Sequence, residues 1–131
     1  MPKTLPTLIA LTLLCAFTAP HHAEAGPCDR HQDTQSRNYC LTQQYVKADR
    51  DLNTVYKALR GRLGPQTREE LKHVQRAWIR HRDEQCGAGP GQMNVECSHE
   101  LTRDRAAYLR QRLNECRRGR CDRGAILSES W

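Results

Sequence analysis

The stretch Leu71-Lys72-His73-Val74-Gln75-Arg76-Ala77-Trp78-Ile79-Arg80-His81-Arg82-Asp83-Glu84-Gln85-Cys86 decides the fold of this chain. Leu71, Val74, Gln75, Trp78, Arg82 and Cys86 recur at steps of three and four, so they share one face of a helix. Thr67, with Glu70 three residues on, has the capping-box spacing for the helix start, and Gly87 offers a stop after Cys86. The face is mixed: one of the two tryptophans stands between Gln75 and Arg82. A face of this kind either buries polar groups with partners or leaves them along a solvent seam. The remaining segments are expected to pack against it.

Before this helix, Tyr45, Ala48, Asp49, Leu52, Val55, Tyr56, Leu59 and Leu63 carry the same helical spacing, in a pattern that takes hold from Tyr39. Gly61, Gly64 and Pro65 punctuate a tight connection between the two. After it, residues 87–95 read as a glycine-rich loop, and Cys97, Leu101, Tyr108, Leu109, Leu113 and Cys116 signal a third helix ending before Gly119. Residues 28–37 are polar and give little signal, and the tail to Trp131 is unassigned. No stretch alternates apolar and polar residues long enough for a strand. The fold class is therefore all-α: a three-helix antiparallel array, its first helix the longest, stapled by disulfides.

The leading residues read as an address. Lys3 is followed by an apolar run from Leu8 to Phe17 and by Ala23-Glu24-Ala25, a small-residue cleavage site before Gly26. Residues 1–25 are thus expected to be a cleaved export signal, 26–116 the helical domain and 117–131 a basic tail, with a periplasmic or secreted destination. Cleavage removes Cys15 and leaves six of the seven cysteines, Cys28, Cys40, Cys86, Cys97, Cys116 and Cys121, enough for three bridges in an oxidising compartment. With a turn near residues 61–67 and equal rise on both helices, Cys86 lies level with position 43 or so, which favours Cys40–Cys86 and Cys28–Cys97 beside a local Cys116–Cys121. The rival set joins Cys86 to Cys97 and Cys28 to Cys40.

No C-x-x-C, phosphate loop or nucleophile motif is present, and the cysteines look committed to bridges, so neither metal, cofactor nor catalysis is expected. His73 and His81, eight apart on one helix, read as solvated. Net charge is +6, and Leu101 to Arg123 holds eight arginines against three acidic residues. That density suits anionic envelope polymers or lipids. Export and the single aromatic in that stretch, Tyr108, argue against nucleic acid as a partner.

Ala48-Asp49-Arg50-Asp51-Leu52-Asn53-Thr54-Val55-Tyr56, then Leu71 to Cys86 with Gln75-Arg76-Ala77-Trp78 and Arg82-Asp83, then Cys97 and Leu101-Thr102-Arg103-Asp104-Arg105 resemble the LprI-type lysozyme-inhibitor family. The resemblance runs from about Cys28 to Leu113. It implies an exported bacterial helical domain that inhibits a lysozyme-like muramidase by non-covalent binding. Asp49, Asn53, Gln75, Trp78, Arg82 and Arg105 form the expected polar network, a carboxylate facing an arginine to orient the three helices. The alternative for the same residues is a polar groove that receives a partner. Because defence lysozymes are commonly cationic, a cationic inhibitor needs a locally neutral or acidic contact. The loop carrying Gly87, Gly89, Gly91 and Glu96, with Asp83 and Glu84 around its base, is the candidate.

Overall fold

The computed structural model describes residues 26–131; the expected export signal and Cys15 lie outside the described residues. Helix α1 spans Thr34–Arg60, α2 Pro65–Gln85 and α3 Val95–Arg117, followed by the single-turn α4, Arg123–Ile126. A two-stranded hairpin, β1 (Gly87–Gly89) and β2 (Gln92–Met93), joins α2 to α3.

At 27 residues α1 is the longest helix. It starts five residues before Tyr39 because the Asp33 side chain accepts from Ser36 N at 2.7 Å and caps the first turn. Ala48, Leu52, Val55 and Leu59 form its buried stripe, and Lys57 and Arg60 stand in the last turn, where cations suit the helix dipole. Helix α2 buries Leu71, Val74, Gln75, Trp78 and Arg82, the face its spacing predicts, and Cys86 beyond it is 1 % exposed. Its start differs from the expected capping box. Gly64 is the N-cap without a side-chain bond, and Pro65 opens the helix with its φ already set, so Thr67 and Glu70 fall inside the first turns. Helix α3 starts at Val95, two residues before Cys97, because the Asn94 side chain accepts from Cys97 N at 3.0 Å.

Among the helices, α1 and α3 approach most closely. They run parallel: Arg37 meets Glu96 at 3.4 Å near both N-termini. Ala48 and Ala106 line the same crevice between them, small side chains that permit close approach. Helix α2 runs antiparallel to both and presents Trp78, Gln75 and Arg82, whose bulk keeps it farther off. The core joins Leu52, Val55, Leu59, Leu63, Leu71, Trp78, Leu109, Leu113 and Cys116 to Ile126 of α4. The tail unassigned from sequence is therefore anchored. Ile126 is 1 % exposed, the Tyr108 hydroxyl donates to the Ala125 carbonyl, and Arg123 donates to both Glu70 oxygens at 3.0 and 2.6 Å.

The bridges are Cys28–Cys40, Cys86–Cys97 and Cys116–Cys121, with Cα separations of 5.6, 5.5 and 4.3 Å. This corrects the favoured pairing of Cys40 with Cys86 and Cys28 with Cys97, and agrees with the rival set. Levelling residues on α1 and α2 presumed that those helices are the close pair, whereas α1 lies against α3. The short strands also correct the reading of residues 87–95 as irregular loop. Gly87 pairs with Met93 and Gly89 with Gln92, and the turn is made by Gly89 (φ 134°) and Gly91 (φ 69°), conformations that glycine adopts without a Cβ clash.

Candidate functional site

Two surface features carry the residues singled out from sequence. The first is a groove of about 360 Å³ between α1 and α2. From α1 it is lined by Asp49, Leu52, Asn53, Tyr56 and Arg60, and from α2 by Lys72, Gln75, Arg76, Trp78, Ile79 and Arg82. On each helix these residues fall at steps of three and four along one edge of the buried face, so their gathering follows from helical period. Five of the six expected network residues, Asp49, Asn53, Gln75, Trp78 and Arg82, are brought together here.

Their pairing differs from the expected carboxylate facing an arginine. Asn53 Nδ2 donates to Asp49 Oδ2 at 3.0 Å, and Asp49 makes no ion pair among the described residues. Arg82 donates through Nε and an Nη to Asp83 Oδ1, its neighbour in sequence, at 2.9 and 2.7 Å. Arg105 reaches α2 from behind, its Nε donating to Gln75 Oε1 at 3.2 Å in a buried bond. Trp78, 2 % exposed, lies between the two arginines, 5.3 Å from Arg82 and 6.0 Å from Arg105. The arrangement is two local pairs and one buried arginine–amide bridge. Aromatic faces accompany both buried cations, and Arg82 alone of the two also has a carboxylate partner, that of its neighbour Asp83.

Arg105 is the extreme case. Only 4 % exposed, it also faces the rings of Tyr108 at 5.5 Å and Trp131 at 5.3 Å. Burial lowers its pKa to about 10, because a guanidinium removed from water loses hydration that ring faces only partly replace. Trp131 in turn packs beside His81, with ring centroids 6.0 Å apart. Sequence reasoning missed Trp131, since an isolated aromatic beyond the last periodic segment carries no spacing signal. Arg60 and Lys72 of the groove were also missed, although they continue the polar edge at helical steps from Asn53 and Gln75.

The second feature is the hairpin. Gly87, Gly89 and Gly91 are exposed and the segment from Gly87 to Val95 carries no charge. Its base is held by the Cys86–Cys97 bridge and by Asn94 N donating to Cys86 O at 2.8 Å. Met93 at 45 % exposure is its one large apolar side chain. Of the acids around the base, Asp83 pairs with Arg82 and Glu96 with Arg37, while Glu84 is exposed and has no ion pair among the described residues. The local acidity expected from sequence is therefore partly neutralised, and the tip is neutral. No helix among the described residues is long and apolar enough to cross a membrane.

Comparison with known proteins gives the same direction. The chain is 32 % identical over 126 residues to an uncharacterized protein of Rhizobium meliloti (strain 1021), covering 78 % of this chain and 91 % of that protein. No solved structure matches. The family model described as lysozyme inhibitor LprI matches residues 28–109, from the first bridge cysteine to the middle of α3. This chain belongs to the LprI lysozyme inhibitor family.

Proposed function

We propose that this protein is exported, with cleavage near Ala25–Gly26, and inhibits a lysozyme-like muramidase by non-covalent binding. The observation that carries the reading is the hairpin. It is uncharged, exposed and glycine-tipped, yet both ends are clamped by a disulfide and a cross-base hydrogen bond. A preformed narrow loop enters a cleft without a large ordering cost, and a neutral tip avoids repulsion from a cationic enzyme. Family membership supplies the target class; the hairpin supplies the contact. The chain acts by occupying the cleft and has no catalytic role.

The test is titration of the oxidised mature protein into a lysozyme cell-wall lysis assay at moderate salt. A variant with residues 88–93 replaced by a neutral linker, keeping Cys86 and Cys97, is the partner measurement. Saturable inhibition that the replacement abolishes supports the reading; inhibition that survives it removes the hairpin from the site.

A second reading rests on Arg117, Arg118 and Arg120. These lie exposed around Gly119 at the end of α3, none with an acidic partner among the described residues. They suit anionic envelope polymers or lipids. Inhibition that disappears with added salt and is indifferent to the hairpin indicates coating of the anionic wall and favours this role.

A further inference from the structure

We infer that the groove between α1 and α2 is a binding site for a zwitterionic small ligand, an amino acid or short peptide with free termini. Asp49 stands on its α1 wall, while Arg76 and Arg82 stand on the α2 wall. The Arg60–Glu69 contact at 3.6 Å sets the register of the antiparallel pair. Counting back along both helices puts Asn53 level with Arg76 to within about a turn, and Asp49 level with Ile79 to Arg82. The opposed charges line one groove without closing on each other: Asp49 forms no ion pair among the described residues, and Arg82 turns to Asp83 instead. Arg76 is exposed and has neither a hydrogen bond nor an ion pair among the described residues.

A gap between an unpaired carboxylate and an unpaired guanidinium is filled best by a molecule carrying the reverse pair. Its ammonium faces Asp49 and its carboxylate faces Arg76, each as a charge-assisted hydrogen bond. Spare amide valences lie between them. Gln75 Oε1 is used by Arg105, but no described group accepts from Gln75 Nε2, and Asn53 spends only one amide hydrogen on Asp49. These groups match the carbonyl and N–H of a peptide unit. The rim adds Tyr56 and Ile79, the latter one of four large apolar side chains exposed among the described residues, as a contact for a ligand side chain. At about 360 Å³ the groove lies at the small end of ligand sites, which suits one or two residues and not a folded partner.

This site is separate from the hairpin, so its failure leaves the inhibitor reading intact. The experiment is amide-resonance titration of the oxidised protein with Ala-Ala, N-acetyl-Ala-Ala and Ala-Ala-amide. Saturable shifts confined to residues 49–60 and 72–82 are expected with the free dipeptide, weakened about tenfold by either cap, as loss of one charge-assisted bond implies. D49N is expected to erase the preference for a free amino end, and R76Q the preference for a free carboxylate. Arg76 is exposed, and Asp49 is half-buried with one local bond that an isosteric Asn can keep, so thermal midpoints are expected to stay within a few degrees. No saturable shift in the groove, equal response to capped and free peptides, or shifts centred on residues 117–120 overturns the proposal.

Discussion

Replacing Gln75 by Leu is expected to destabilise the protein more than replacing Arg105 by Met, and the double replacement is expected to cost less than the sum. Arg105 is the only guanidinium whose pKa burial lowers clearly, to about 10, which corresponds to roughly 3 kcal/mol lost by the cation relative to its neutral form. Met keeps much of the side-chain volume and relieves at most that amount. Against it stand the orphaned Gln75 Oε1, about 1–3 kcal/mol, and the contacts with Trp78, Tyr108 and Trp131, about 0.5–1 kcal/mol each. R105M should therefore cost only about 1 kcal/mol. Q75L leaves the buried cation in place and removes its one hydrogen-bonded partner among the described residues, at about 2–3 kcal/mol. With both changed, neither an orphaned amide nor a stranded charge remains, and the double variant falls short of the sum by about 2 kcal/mol. Denaturant unfolding of the oxidised proteins, with unchanged slope, measures all three. Additivity within about 0.5 kcal/mol, or R105M costing more than Q75L, refutes the reasoning. The pH sign also follows. The folded pKa lies below the unfolded one, so the full penalty applies below pH 10 or thereabouts and stability rises with pH as the buried guanidinium deprotonates.

Other outcomes are expected from the same structure. I126A should cost about 2–4 kcal/mol on denaturation, since the tail contributes a side chain 1 % exposed to the core; a near-neutral result would mean that α4 does not dock. Removing the Cys86–Cys97 bridge as C86A/C97A should cost about 3 kcal/mol and increase hydrogen exchange in residues 87–94 beyond that of the three long helices. The Arg123 hydrogen bond holds the Glu70 carboxyl below its ordinary pKa, as hydrogen bonding to Arg37 does for Asp29 and to Lys72 for Glu69. Depressed folded values mean stability present above the ordinary carboxylate range and lost as pH falls through the folded values, so thermal midpoints should drop below about pH 4, less steeply in E70Q.

Most of α2 was legible because a helix buries residues by angle alone. Leu71, Val74, Gln75, Trp78, Arg82 and Cys86 sit at the right steps, and all six are buried. The groove's polar edge was legible for the same reason, in Asp49 and Asn53 four apart and Gln75 and Arg82 seven apart. Their partners were not. Periodicity states which side of its own helix a residue occupies, and it is silent on the rotation and spacing of the neighbouring helix. Asp49 thus looked set to meet an arginine, yet its bond is to Asn53 one turn away.

The sequence by itself determined the three long helices, the buried stripes of α1 and α2, the pool of bridge cysteines and the likeness to the LprI family, because these depend on local spacing and residue type. On α3 only Leu109, Leu113 and Cys116 of the expected stripe are buried, beside Ser98, Thr102, Arg105 and Ala106. Tertiary structure decided the rest. Small residues such as Ala48 and Ala106 let α1 and α3 close together, so α2, carrying Trp78 and its arginines, stands off and leaves a groove. The same displacement takes Cys86 away from Cys40 and leaves it beside Cys97 across a two-stranded turn. Ile126 and Trp131 acquire their roles only where the chain folds back over α3, since a core position and a ring above Arg105 are contacts between distant segments, which no local pattern encodes.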